Sequence, residues 1–148
     1  MKRSRNHKLT VPINAICFYC GERAVSMDHV FPYCVAGILT EAVPSCRECN
    51  CVLGCLIFPD RWSKKAHIAS RLRQRYADVL LYVDFSESDL SEMGYTLRTE
   101  VINGLLLKQN VIERIKFASM TEDDVQQSRF VFQRSYLGGP DDDTDTDF

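Results

Sequence analysis

Residues 17–20 (Cys-Phe-Tyr-Cys) and 46–50 (Cys-Arg-Glu-Cys-Asn) decide the fold of this chain. Each stretch contains a Cys-x-x-Cys pair. Two such pairs have the ligand spacing of a structural zinc site, in which four thiolates surround one ion as a tetrahedron. We therefore expect one structural Zn²⁺, with the ligands Cys17, Cys20, Cys46 and Cys49.

The other cysteines allow a second interpretation of the metal. Four cysteines between residues 46 and 55 are dense enough for an iron–sulfur cluster, but that cluster would leave the pair at 17–20 without a role. Tetrahedral zinc explains both pairs at once. We interpret the remaining cysteines as small apolar core residues, namely Cys34, Cys51 and Cys55.

Residues 28–32 (Asp-His-Val-Phe-Pro) lie between the two cysteine pairs, and Asn50 follows the last one. A neutral imidazole can take a proton from water near neutral pH, which makes His29 a candidate general base. Carboxylate and amide oxygens are hard ligands, so Asp28 and Asn50 are candidates to hold a divalent cation. These are the parts that a metal-dependent phosphodiesterase requires.

Together the three motifs resemble the HNH endonucleases of the zinc-bound ββα-metal type, over roughly residues 15 to 60. The resemblance implies an α+β fold with a small ββα-metal core around the four-cysteine zinc site. It also implies hydrolysis of DNA phosphodiester bonds, with His29 as general base and with Mg²⁺ or Mn²⁺ held by Asp28 and Asn50. A single site of this kind cleaves one strand, so we expect a monomer or a homodimer.

Two positions depart from the family pattern. Glu41 occupies the place of the middle Asn, nine residues before Asn50, and Leu53 stands where Lys is frequent. Glu41 could replace the lost hydrogen bond or supply a metal oxygen, and we include it among the catalytic candidates. It could equally mark weakened catalysis, which leaves open a zinc-stabilised nucleic-acid-binding module.

Charge is divided unevenly along the chain. Residues 1–75 contain 12 Lys and Arg against 5 Asp and Glu, and residues 76–148 contain 6 against 15. A basic half favours a polyanion partner, here DNA, because phosphate contacts release counterions. The candidate phosphate contacts are Arg47, Arg61, Lys64, Lys65, Arg71 and Arg75. The acidic half leaves open a phage or bacterial interaction protein, for example an inhibitor.

Composition indicates an intracellular protein. The 148 residues are enough for one core, and no apolar run approaches the roughly 20 residues that span a bilayer. Seven cysteines, an odd number, favour a metal site in a reducing compartment over a disulfide framework. We expect a cytoplasmic location, in a bacterium or the bacterial host of a phage, with no membrane partner.

The chain divides into four expected segments. Residues 1–14 form a basic N-terminal arm, and residues 15–60 form the zinc-bound core. A helical region at 61–137 packs on that core, and an acidic disordered tail follows at 138–148. The tail contains five Asp and ends in Phe148. It is either a solvated segment that keeps the protein soluble, or a segment that docks a protein partner or acts as an electrostatic brake on DNA binding.

Patterning predicts the elements inside these segments. The core has strands at Val25–Val30 and Ala42–Pro44, a loop at Tyr33–Leu39 and a helix at Cys49–Leu56. Beyond it, apolar spacing predicts a helix with an inner face of Trp62, Ala66, Ala69, Leu72, Tyr76 and Val79. A second helix covers Leu97–Phe117 with Val101, Leu105, Ile112 and Ile115 inward. A capped short helix begins near Ser88, and Phe130–Leu137 is a strand or helix.

Overall fold

The computed structural model describes residues 9–32 and 41–127, which form a mixed α+β fold with one two-stranded sheet. The strands are β1, Ser26–His29, and β2, Ala42–Ser45. The helices are α1, Arg47–Leu53, α2, Arg61–Arg75, α3, Ala77–Leu80, α4, Glu87–Glu92, and α5, Tyr95–Ala118. Residues 122–127 are also helical.

The two predicted strands are present and form an antiparallel pair. Ser26 pairs with Ser45, and His29 pairs with Ala42. One further backbone hydrogen bond, from Val30 N to Glu41 O at 2.8 Å, continues the pairing past the end of β1. This pairing places Asp28 and His29 at the end of β1.

Helix α1 begins two residues earlier than predicted and ends three residues earlier. Cys46 is its N-cap, and the Cys46 sulfur accepts a hydrogen bond from Cys49 N at 3.4 Å. A thiolate can satisfy an unpaired N–H of the first turn as other N-cap acceptors do. Gly54 ends the helix with φ of 48°, a left-handed conformation that favours glycine.

The helical region contains the three predicted helices with shifted limits. The side chain of Asp60 caps α2 by accepting from Ser63 N at 2.8 Å. Helix α4 begins with a capping box between Ser86 and Asp89, which confirms the predicted capped helix. No helix within residues 9–32 and 41–127 is long and apolar enough to cross a membrane.

One hydrophobic cluster joins the cysteine region to the helices. Its members from the cysteine region include Tyr19, Val30, Val43 and Leu53, and those from α2 and α5 are Ile68, Ala69, Leu72, Val111, Ile115 and Ala118. Gly21, at φ 79°, lies against this junction, because a Cβ there would be 3.2 Å from Phe117 Cγ. The helices therefore complete the core around the cysteines.

The predicted inner faces of the two long helices are partly wrong. Ala66 is exposed, whereas Lys64 and Lys65 are buried. On α5, Val101 and Ile115 are buried, Leu105 is half-buried and Ile112 is 39% exposed. The reason on α5 is that the buried positions at 111, 114, 115 and 118 define a narrow stripe, and position 112 lies about 100° around the helix from 111.

Several sequence predictions fall outside the described residues. These are the first eight residues of the basic arm, the loop at Tyr33–Leu39 with Cys34, the element at Phe130–Leu137 and the acidic tail at 138–148. Two other cysteines of the prediction, Cys51 and Cys55, lie within the described residues. Cys51 and Cys55 are exposed, so the prediction that they are core residues is wrong. The short α1 and its early end at Gly54 leave both outside the core.

Candidate metal centre and active site

The four predicted ligand cysteines meet at one point. Their sulfur atoms all lie within 4.8 Å of one another, and all four residues are buried. They come from the turn at 17–20 and from the start of α1, two segments that the pairing of β1 with β2 holds together. Among the residues that the structure describes, this is the one group of three or more Cys, His, Asp or Glu side chains placed to share a metal ion.

The sulfur geometry fits tetrahedral zinc. Zn–S bonds of about 2.3 Å give a tetrahedron with sulfur–sulfur edges of about 3.8 Å. The Cys20 and Cys46 sulfurs are 3.7 Å apart. Four cysteines can bind a structural zinc ion with no open coordination position, so this centre stabilises the fold and leaves no place for a substrate.

The four thiols also shift one another's pKa values, and a bound cation would relieve this mutual effect. Hydrogen bonding from Cys20 lowers the pKa of Cys17 far below its usual value, whereas hydrogen bonding with Cys17 raises the pKa of Cys49. One thiolate in this buried cluster therefore opposes ionisation of its neighbours. A divalent ion would allow all four to ionise together.

Two buried cations from the helices approach the cysteine centre. Lys65 Nζ donates to the backbone oxygens of Phe18 at 2.6 Å and Tyr19 at 3.3 Å, and it lies 3.9 Å from the centre of the Phe117 ring. Burial lowers the pKa of Lys65 to about 8. Arg114 Nη2 lies 3.8 Å from the Cys20 sulfur. A Zn²⁺ ion with four thiolates would have two net negative charges, which both cations would compensate.

Arg114 also ties α5 to α1. Its guanidinium forms an ion pair with Glu48, which accepts a second hydrogen bond from Tyr76 at 2.8 Å. Burial opposes ionisation of Glu48, but the hydrogen bonds from Arg114 and Tyr76 hold its pKa below the usual value. This bridge links α1, which contains Cys49, to α5.

A second polar centre lies at the end of β1. Asp28 is 8% exposed, and its Oδ2 accepts hydrogen bonds from the Tyr19 hydroxyl at 2.5 Å and from Lys64 Nζ at 2.8 Å. Burial, followed by the hydrogen bond to Asp28, raises the pKa of Tyr19. Both bonds end on Oδ2, so Oδ1 is the oxygen through which Asp28 could bind a cation.

His29 follows Asp28 on β1, and Asn50 lies on α1. His29 is half-buried at the last position of β1, and its backbone oxygen accepts from Lys64 Nζ at 2.7 Å. Asn50 is exposed on α1, where its Nδ2 is 3.4 Å from Ser26 Oγ. Ser26 and Asp28 are two residues apart on β1, so they face the same side of the hairpin, about 7 Å apart along the strand.

Glu41, the second carboxylate predicted for the site, is paired with an arginine. Its Oε1 accepts from Arg61 Nη1 at 2.5 Å, and the Glu41 side chain is 51% exposed. Arg61 also lies 5.5 Å from the centres of the Phe18 and Trp62 rings. Among the described residues, Glu41 and Arg61 thus form a surface pair.

The predicted phosphate contacts divide into two groups. The prediction is wrong for Lys64 and Lys65, which are each 2% exposed and donate to Asp28, His29 O and the carbonyls of the cysteine turn. Their charges are needed inside the fold, where carboxylate, carbonyls and thiolates compensate them. The other four side chains remain available at the surface to differing degrees, namely Arg47, Arg61, Arg71 and Arg75.

Sequence reasoning missed three residues that build these centres. No role is predicted from the sequence for Tyr19 or Arg114, and Lys64 is predicted as a phosphate contact. Arg114 is a cation between apolar neighbours at 111 and 115, a pattern that could have indicated its burial. No local signal distinguishes Lys64 from the exposed cations of the same helix.

Comparison with protein-family models, with curated proteins and with solved structures finds no match to this chain. The resemblance to HNH endonucleases therefore stays a prediction from the residues.

Proposed function

We propose that the protein is an HNH endonuclease of the ββα-metal type, which hydrolyses DNA phosphodiester bonds with a divalent cation. The observation that carries the proposal is the order of elements around the cysteines. An antiparallel strand pair is followed directly by a helix, with Asp28 and His29 at the end of the first strand and Asn50 on the helix. A closed four-cysteine centre stabilises this unit without taking part in the reaction.

His29 would act as the general base that takes a proton from the attacking water. Asp28, through Oδ1, and the side-chain oxygen of Asn50 would hold Mg²⁺ or Mn²⁺, with water and the substrate phosphate completing its ligands. Such a cation stabilises charge on the phosphate and on the leaving oxygen. Exposed arginines would position the DNA backbone, and Arg47 and Arg71 are both exposed.

A plasmid-nicking assay tests the proposal. Supercoiled DNA is incubated with zinc-loaded protein and Mg²⁺ or Mn²⁺, beside His29→Ala and the matched control His67→Ala. His67 lies on α2, where its ring is 5.1 Å from the ring of Phe58. We expect nicking by the wild type and by His67→Ala, and a loss of about a hundredfold or more in His29→Ala. No nicking by wild-type protein with either cation would reject the proposal.

One observation favours a second function, a zinc-stabilised nucleic-acid-binding module without catalysis. Both carboxylates near His29 are paired with cations, Asp28 with Lys64 and Glu41 with Arg61. Under this alternative, DNA binding is salt-dependent and unaffected by His29→Ala, while no cleavage occurs.

A further inference from the structure

Lys64 is an unusual residue in the fold because its ammonium group is buried beside the candidate general base. Its Nζ donates to Asp28 Oδ2 at 2.8 Å and to His29 O at 2.7 Å. Two consecutive residues are thereby held by one atom of a helix that lies 35 and 36 positions further along the chain. The Tyr19 hydroxyl binds the same Asp28 oxygen.

Stability alone is a weak reason for this arrangement. A buried ion pair must offset the desolvation of both ions, and a well-packed apolar pair of similar volume is often as stable or more stable. What an ion pair adds is a defined position for each partner. Here it fixes the Asp28 carboxylate at one oxygen and the His29 carbonyl at the same time, which constrains the backbone that carries the His29 side chain.

The neighbouring lysine provides the comparison within the same helix. Lys65 is equally buried, but its Nζ donates to carbonyls of the cysteine turn. The two side chains have the same chemistry but different hydrogen-bond partners. Lys64 contacts the end of β1, whereas Lys65 contacts the turn of the metal centre. Within the described residues, the hydrogen bonds of Lys64 Nζ go to Asp28 and His29 and not to the carbonyls of the cysteine turn.

We propose that Lys64 is a positioning residue for the reaction, which together with Tyr19 orients Asp28 and His29. This proposal rests on the proposed nuclease function. By holding Oδ2, Lys64 and Tyr19 direct the Asp28 Oδ1 atom toward the cation, and by holding the carbonyl of His29, Lys64 fixes the direction of the base. Loss of this contact misplaces both groups, and a displacement of about 1 Å near reacting atoms can cost a hundredfold in rate.

Lys64→Met tests the proposal, with Lys65→Met as the matched control and Lys64→Arg as the conservative variant. Single-turnover cleavage of a labelled DNA duplex is measured against Mg²⁺ concentration, and rates are divided by zinc content. We expect Lys64→Met to lower the maximal rate by about ten- to a hundredfold and to raise the Mg²⁺ concentration needed for half the maximal rate. Lys65→Met should keep the rate per zinc-loaded molecule, and Lys64→Arg should recover part of it.

Two outcomes would overturn the proposal. One is an unchanged rate and Mg²⁺ dependence in Lys64→Met, and the other is an equal loss in Lys65→Met. Should Lys64→Met fail to fold, Tyr19→Phe removes one hydrogen bond to the same Asp28 oxygen and keeps the ion pair. It should change the rate and the Mg²⁺ dependence in the same direction by a smaller factor, and no change in either would count against the proposal.

A measurement without activity separates this proposal from the nuclease function. The ring of His29 is observed by NMR with carbon-13 labelled histidine and assigned with His29→Ala. One narrow signal is expected in the wild type and in Lys65→Met, and a broadened or split signal in Lys64→Met. If wild-type protein cleaves no DNA, the nuclease proposal fails while this signal still reports whether Lys64 orders His29. An identical His29 signal in Lys64→Met would overturn the ordering itself.

Discussion

The cysteine region and the outer helices hold their shape in different ways. The described part of residues 15–54 contains two strands of four residues and one short helix, yet it buries four cysteines, Tyr19 and Asp28. Helix α5 is 24 residues long and leaves large apolar side chains exposed, with Leu106 at 63%. The first region depends on a few specific polar contacts, whereas the second depends on many weak ones. Single changes should therefore have much larger effects in the first.

Removal of zinc should have the largest effect. Structural zinc supplies about 10–16 kcal/mol in small zinc domains, which is as large as the roughly 5–15 kcal/mol that usually stabilises a whole protein. Because the hydrophobic cluster joins the cysteine region to α2 and α5, we expect a chelator or Cys49→Ser to unfold both regions together. Circular dichroism and zinc analysis measure this. Helices that persist after complete zinc loss would show that the second region folds alone.

Arg114→Met should have the next largest effect. It leaves Glu48 without one ion-pair partner and removes the cation near Cys20. Breaking a buried pair costs about 3–5 kcal/mol, and we expect about 2–3 kcal/mol because Tyr76 and Arg75 still contact Glu48. Urea unfolding measures the change. The double variant Arg114→Met/Glu48→Gln should recover part of the loss, and additive losses would contradict the bridge.

Gly21→Ala tests the contact between the two regions. Gly21 has φ of 79°, and a Cβ there would be 3.2 Å from Phe117 Cγ. We expect a loss of about 1–2 kcal/mol from the left-handed conformation, with a further loss if Phe117 cannot move. Gly94→Ala is the control, since a Cβ at Gly94 would meet nothing within 4 Å. Equal melting temperatures for the two variants would contradict this close packing.

Ser86→Ala should have the smallest effect. Ser86 caps α4 within a capping box, and losing such a cap costs about 1 kcal/mol. Because α4 has no buried residue, we expect the loss to stay local. Hydrogen exchange of the α4 amides should rise while zinc content and cleavage rate stay constant. A change in zinc content would show stronger coupling between the regions than the contacts indicate.

The two regions also differ in how well sequence predicts them. The cysteine spacing, the strand pair and the Ser86 capping box are local patterns, and the structure contains all three. The start of α1 could not be predicted well because its cap is a metal-ligand sulfur, which propensity rules do not anticipate. In α5, the apolar periodicity predicted the helix correctly but predicted that Ile112 is buried. Ile112 is exposed because only one narrow stripe of α5 packs against the rest of the fold.

Lys64 shows most clearly why the candidate site could be predicted only in part. Asp28 and His29 lie between the two cysteine motifs and Asn50 directly follows the second, so the sequence predicts that all three lie near the cysteine centre. The burial of Lys64 depends on Asp28, 36 positions away, and on how α2 packs. A lysine on an amphipathic helix ordinarily faces water, and that expectation gave the wrong position here. Long-range ion pairs of this kind carry no local pattern.

In the proposed function, the cysteine centre maintains the fold and the end of β1 would carry the reaction. The most direct test is single-turnover cleavage of a DNA duplex by His29→Ala, with zinc content and unfolding measured on the same sample. The account predicts wild-type zinc content and stability with a rate lowered about a hundredfold or more. Cleavage at the wild-type rate per zinc-loaded molecule would contradict it.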